Sequence, residues 1–335
     1  TNAGIVTAFG VELHRNPAFN KTFERPATAS DLFIEARSRG WEWLPIHAGK
    51  TIFQYTDEGE YPCTNFVMTE DAVTTRHWKH SVPYYRFAFR MKAASTNERT
   101  MIAVILTPGF VNEQTLAAET NPSARPNLQP LFVMALANSC CFDWQVRQRV
   151  TTSLSNYLLA PIPVPDLAPC QVFFVHSALR LICNHEGYAP LWQEQIGNAW
   201  REDRPTFAWP VLEGSGNRWS IRAAVDVVVA EAYGLSRDQY AHVLSSFSHR
   251  SYPKAPDLCI DRFDELKTIG LEAFTKKYDP YWDIPLNENL PKPVVDIPMG
   301  EAAEDKDHPE LSLDLESPDV MGQGPSRTKR KGRRR

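Results

Sequence analysis

Apolar residues in this chain come first in short runs broken by Pro and Gly, and past residue 170 at helical spacing. In the first part, Trp41-Glu42-Trp43-Leu44-Pro45-Ile46 and Lys50-Thr51-Ile52-Phe53-Gln54-Tyr55 suit strands by composition, with Gly49 at a turn between them. Further strands are predicted at Tyr84 to Phe89 and at Met101 to Leu106, the latter stopped by Thr107-Pro108-Gly109. From Leu131 to Val150 the apolar positions run together and then thin out at helical spacing, which predicts a helix with a buried first half. Alternate prolines in Ala160-Pro161-Ile162-Pro163-Val164-Pro165 exclude a helix and favour a rigid, extended exit. Between Cys170 and about Leu286 the pattern is mostly helical. Ser220 is the expected N-cap of a helix over Ile221 to Ala232, Gly234 its stop, and Ser236 the start of the next. The predicted fold is α+β: a β-rich domain over 1–165, a mainly helical domain over 166–291, and a disordered tail over 292–335.

Composition adds a core and withholds a membrane span. With 335 residues, 43% of them apolar, the chain has material for a full hydrophobic core and for about two domains. The longest apolar run, Leu131 to Phe142, is too short for a bilayer and contains Asn138 and Ser139. No metal-ligand spacing or CxxC pair joins Cys63, Cys140, Cys141, Cys170, Cys183 and Cys259, so reduced, mostly buried thiols are expected. The opening residues from Thr1 read as the interior of a longer protein, so a fragment or a processed chain is expected.

Net charge is uninformative at -4, but its distribution is not. Between Ala72 and Asn97 there is no acid, while Arg76, Lys79, Arg86, Arg90 and Lys92 are all basic. A second acid-poor window, from Glu119 to Asp166, holds Asp143 alone among acids and carries Arg147 and Arg149. Surfaces normally mix both signs, so such windows point to a polyanion. Beyond residue 297, acids precede a basic run, Arg327 to Arg335, that reads as a phosphate grip or an import signal.

Several segments together resemble a known family. Gly49 to Tyr55, Tyr85 to Arg90, Ala94 to Ala103, Ala137-Asn138-Ser139, Asp143, Arg147 to Val150, Ile162 to Pro165 and Asp226 to Leu235 carry the likeness. They resemble the C-terminal target-recognition region of the large bacterial N6-adenine DNA methyltransferases: type IIG restriction-methyltransferases and the methyltransferases of the BREX and DISARM phage-defence systems. The likeness runs over roughly residues 45 to 250. It implies a cytoplasmic bacterial protein that binds double-stranded DNA and acts with a methyltransferase catalytic domain, in cis or in trans. That domain would supply S-adenosylmethionine chemistry on a flipped adenine. Neither the glycine-rich cofactor turn nor the Asn/Asp-Pro-Pro-Tyr/Phe motif is found here, so this chain is expected to hold no cofactor and not to be catalytic alone.

The expected DNA-binding residues are Lys50, Gln54, Arg76, Lys79, Arg86, Arg90, Lys92, Asn97, Glu98, Arg99, Arg147 and Arg149. Arg86, Arg90 and Lys92 suit phosphates, and Gln54, Asn97, Glu98 and Arg99 have the donors and acceptors to read base edges. Along a strand Arg86 and Arg90 share one face while Phe87 and Phe89 turn to the core. Equally open is a structural turn at Asn97 to Thr100 that ties a sheet together. The other function class is a specificity or docking subunit that binds a methyltransferase partner. Three lesser patterns are weighed and set low: Gly214-Ser215-Gly216 as a cofactor turn, Asp257 with Glu265 and Lys267 as a nuclease site, and His77 with His80 as metal ligands.

Overall fold

The computed structural model describes residues 20–72 and 76–298. The expected tail lies almost entirely outside them.

Two sheets are built from strands that all precede residue 119. The first has the order β1 (Asn20–Ala27), β3 (Cys63–Met68), β2 (Trp43–His47) and β6 (Val111–Asn112), antiparallel except for the β2–β6 pair. The second has the order β5 (Ala103–Leu106), β4 (Arg86–Arg90), β7 (Leu116–Ala118), all antiparallel, with Ala88 opposite both Val104 and Ala118. Helix α1 (Ala29–Ser38) starts at a Thr28/Asp31 capping box and buries Leu32, Phe33 and Ala36 with the first sheet. Two short helices, α2 (Thr69–Ala72) and α3 (Arg76–Ser81), lead into β4.

The helical part follows as α4 (Leu128–Ala137), α5 (Cys140–Arg147), α6 (Asn156–Leu159), α7 (Gln171–Ile182), α8 (Ala189–Ile196), α9 (Ser215–Ala232), α10 (Arg237–Ser245), α11 (Ala255–Ile269) and α12 (Leu271–Tyr278). Helix α4 packs on both β5 and α7, and α9 packs on α7, α11 and α12. As a result the second sheet and the helices share one apolar core that runs from Ile52 to Tyr281, with members on both sides of Pro165. A smaller core, including Trp41, Trp43, Phe110 and Val111, lies at the first sheet, and Val295 and Ile297 belong to it.

The α+β class holds, with helix exceeding strand, and the expected strands at β2, β4 and β5 are present. Three local expectations are corrected. Lys50 to Tyr55 is a turn, closed by a Phe53–Thr56 bridge and by Tyr55 in the left-handed region (φ 61°). The helix expected over Leu131 to Val150 breaks at Asn138 and Ser139, because Ser139 caps α5 by accepting from the Phe142 amide and Asn138 leaves the helix to pair with β5. Helix α9 starts six residues before Ile221, at Ser215 after Gly214. Its end is as expected. Gly234 has φ 68°, and the Leu235 amide donates to the Ala230 carbonyl. Ser236 forms a capping box with Gln239, as its position suggested.

Two buried histidines have opposite electrostatics. His185, between α7 and α8, sits 3.2 Å from both oxygens of buried Asp57, which also accepts from the Thr107 hydroxyl. Burial pulls the imidazole down, but the charge and hydrogen bond of Asp57 outweigh it, and the net direction is up. His47 stacks on Phe110 at 4.6 Å. Burial lowers it to about 4, with Arg86 and His185 adding to the fall and Asp57 opposing it. Below the ordinary histidine value of about 6.5, the contribution of His185 is fully present, whereas that of His47 is lost as pH falls towards 4. Above 6.5 the signs reverse, and the contribution of His185 is lost as pH rises through its elevated value. Thermal stability is therefore expected to peak near pH 6.5, with His47→Gln flattening the acid limb and His185→Gln the basic limb. Melting temperatures from pH 5 to 8 check this, and limbs unaltered by the two changes would contradict it.

Candidate nucleic-acid interface

The residues that sequence reasoning gathered as DNA ligands divide into an inner and an outer set. The inner set is a polar knot between β5 and the α4–α5 break. Asn138 behaves like an added strand residue: its side-chain oxygen accepts from the Ala103 amide at 3.0 Å and its amide donates to the Ala103 carbonyl at 2.9 Å. Five residues on, Asp143 accepts from the Met101 amide (2.9 Å), the Thr100 amide (3.2 Å) and Arg99 Nε (2.8 Å). Arg99 also donates to the Asn138 carbonyl at 2.7 Å. Asp226 of α9 accepts from the Cys140 amide at the start of α5 (2.7 Å) and from the Tyr240 hydroxyl of α10 (3.1 Å). The knot thus ties sheet, break and C-terminal helices together.

Arg99 is 6% exposed, Gln54 2% and Arg86 1%, so these expected DNA ligands lie in the interior. Gln54 donates to the Met101 and Asn138 carbonyls and accepts from Arg222. Arg86 donates to the Phe110 carbonyl and to Asn112, as a buried guanidinium must to offset its lost hydration. Burial, with Arg99 and Arg218 adding to it, lowers Arg222 to about 10, and its guanidinium lies over the Trp219 ring. Arg147 is nearly buried too, donating to the carbonyls of Asn97, Glu98 and Ser246 over the Phe247 ring. Glu98 accepts from the amide and hydroxyl of Ser251. For Glu98 and Arg99 the structural turn, left open by the sequence, describes what is found.

The outer set is smaller. Lys50, Lys92, Asn97 and Arg149 are exposed, and among the described residues no ion pair engages the three cations. Lys50, Arg90 and Lys92 meet around a cleft of about 400 Å³ that also holds Gly49, Tyr61 and Thr115, with Glu60 and Glu113 as counter-charges. Tyr61 is 51% exposed, and Lys50 Nζ stands 5.9 Å from its ring centre. Arg90 does share a face with Arg86, but that face meets protein: Arg90 donates to the Gly49 and Ile52 carbonyls and is half-buried. A side chain on Gly49 would come within 2.7 Å of the Thr115 carbonyl, so only glycine fits where the cleft wall turns. Lys92 pairs with Ser153, and the Ala93 amide bonds the Thr152 carbonyl, placing the segment after Arg149 beside the cleft strand. Lys79 on α3 is partly exposed, and the Arg76 side chain lies outside the described residues. Tyr61 was missed because it stands in an acidic stretch. Asp143 had a signal in sequence: an isolated acid in an acid-poor apolar helix needs a buried partner.

Other candidate chemistry is absorbed by packing. Gly214 follows bends instead of the strand that precedes a glycine-rich cofactor turn. Glu265 pairs with Arg262 and Lys277 and accepts from the Tyr278 hydroxyl, while Lys267 pairs with Glu231. All six cysteines are free and buried, and no cluster of metal-ligating side chains exists among the described residues. Among these residues no helix is long and apolar enough to cross a membrane.

No protein-family model matches the chain, and no curated protein matches it in sequence. Among solved structures it has a loose likeness, at 9% identity and a TM-score of 0.36, to the type IIL restriction-modification enzyme MmeI in complex with DNA. The match covers 71% of this chain and 35% of that one.

The two sets give opposite expectations for stability. Arg99→Ala strands the Asp143 carboxylate in the interior and is expected to cost about 3 to 5 kcal/mol. Lys50→Ala and Lys92→Ala are expected to stay within about 0.5 kcal/mol, as for surface changes generally. Urea unfolding of the three variants measures both, and equal losses would contradict the division.

Proposed function

We propose that this chain is the DNA-recognition portion of an adenine-N6 DNA methyltransferase of a restriction-modification or phage-defence system. In this reading it positions duplex DNA for methyl transfer from S-adenosylmethionine by a catalytic domain outside the chain. The observation that carries the reading is the sorting of cations. In and beside the acid-poor segments, the arginines that bond protein form the scaffold, while Lys50, Lys92 and Arg149 stay in solvent with no ion pair among the described residues, Glu60 and Glu113 lining the cleft of the two lysines.

Unpaired cations on a fixed scaffold are what a phosphate backbone rewards, since each contact releases a condensed counterion. Tyr61 and Asn97 are the exposed groups beside them with hydrogen-bonding capacity for base edges or sugar. Three of the expected ligands therefore carry the phosphate grip, Asn97 and Tyr61 are the candidates for readout, and Gln54, Arg86 and Arg99 hold the frame.

The purified chain is expected to bind duplex DNA with an affinity that falls steeply as salt rises. Combined Lys50→Ala, Lys92→Ala and Arg149→Ala changes should lower the slope of log affinity against log salt by about 2 to 3, at roughly 0.9 per phosphate contact. A fluorescence-anisotropy titration at several salt concentrations tests this. An unchanged slope would overturn the phosphate assignment, and no binding by the parent chain would favour a docking subunit.

A further inference from the structure

The polar turn at Asn97 and Glu98 is held from two sides, and the second side is a loop that no sequence pattern marked. Residues 246–254 connect α10 to α11. Arg147 donates to the Ser246 carbonyl at 3.0 Å, and Glu98 accepts from the Ser251 amide at 2.8 Å and the Ser251 hydroxyl at 2.6 Å. His249, in the left-handed region at φ 45°, donates from Nε2 to the Leu244 carbonyl at 2.8 Å. Phe247 is buried under the guanidinium groups of Arg99 and Arg147. Tyr252 stacks on Trp219 of α9, with ring centres 5.1 Å apart and planes 13° from parallel. The loop is thus anchored at five points.

From this anchored loop two cations project. Arg250 and Lys254 are both exposed, and neither has an ion-pair partner among the described residues. The acid next along the chain, Asp257, is exposed and pairs with neither. Charged side chains held on a rigid loop without ion pairs, with the Glu98 carboxylate engaged by Ser251, are an arrangement that gains from a polyanion. Hydrogen bonds connect this loop to Glu98 and to Arg147 at the end of α5, Arg147 to the carbonyls of Asn97 and Glu98, and the segment after Arg149 to the strand end at Lys92 and Ala93. We infer that Arg250 and Lys254 extend the DNA-binding surface onto the C-terminal helices, where they contact the phosphate backbone of the same duplex. This rests on the DNA-recognition reading above. It adds that both halves of the chain grip the DNA.

The test compares the full chain with Arg250→Ala/Lys254→Ala, and with a control, Lys276→Ala/Lys277→Ala, that removes equal charge from lysines paired with Glu272 and Glu265. Random-sequence duplex DNA is titrated at several salt concentrations, with circular dichroism and melting temperature confirming that each variant is folded. The expected result is a slope lower by about 1 to 2 for the loop variant, with the control like the parent. A parent that binds with an unchanged slope in the loop variant, or an equal drop in the control, would overturn this inference and leave the DNA-recognition reading standing. A parent that does not bind DNA would overturn both.

Discussion

Everything in this fold turns on how a helix break is stitched to a buried strand. Asn138 pairs with both backbone groups of Ala103, and Asp143 takes the amides of Thr100 and Met101 together with the Arg99 guanidinium. Without these partners, β5 and the residues leading into it would leave amides unpaired in a dry interior, each costing roughly 1 to 3 kcal/mol. With them, the strand is fixed to α4 and α5, and Asp226 carries the connection to α9 and α10. The knot thus gives the surface segments around it a rigid base.

That constraint explains why so many positive charges in an acid-poor region do not face solvent. A buried guanidinium is tolerable only where carbonyls or a carboxylate replace its water. Arg86, Arg99 and most of Arg147 have such replacements, and Arg90 has two carbonyls. Lys50, Lys92, Arg149, Arg250 and Lys254 have kept theirs from water, which leaves them available. The acid-poor segments therefore hold both internal cross-links and exposed cations, the latter proposed above as phosphate contacts.

Strand and cap signals were legible locally. β2, β4 and β5 follow from β-branched and aromatic runs, and the Gly234 stop and Ser236 box follow from short-range backbone chemistry. What misled were positions decided by distant partners. Lys50 to Tyr55 has strand composition, yet Gln54 is drawn inward by Met101 and Arg222. Leu131 to Val150 has helical spacing, yet Asn138 gains more from β5 than from another helical turn. Apolar residues on both sides of Pro165, the expected boundary, belong to one core. At the site, charge type was readable and side-chain direction was not. The loop carrying Arg250 and Lys254 showed no signal, because it depends on Glu98, some 150 positions away in sequence.

The central claim is that interior arginines are structural and the outer ones meet DNA. Arginine-selective modification of the full chain, read by peptide mass spectrometry with and without duplex DNA, tests it most directly. The account predicts that Arg149 and Arg250 react in free protein and are protected by DNA, while Arg86 and Arg99 stay unreactive in both states. Ready modification of Arg99 with protection by DNA, or no protection at Arg149 and Arg250, would contradict it.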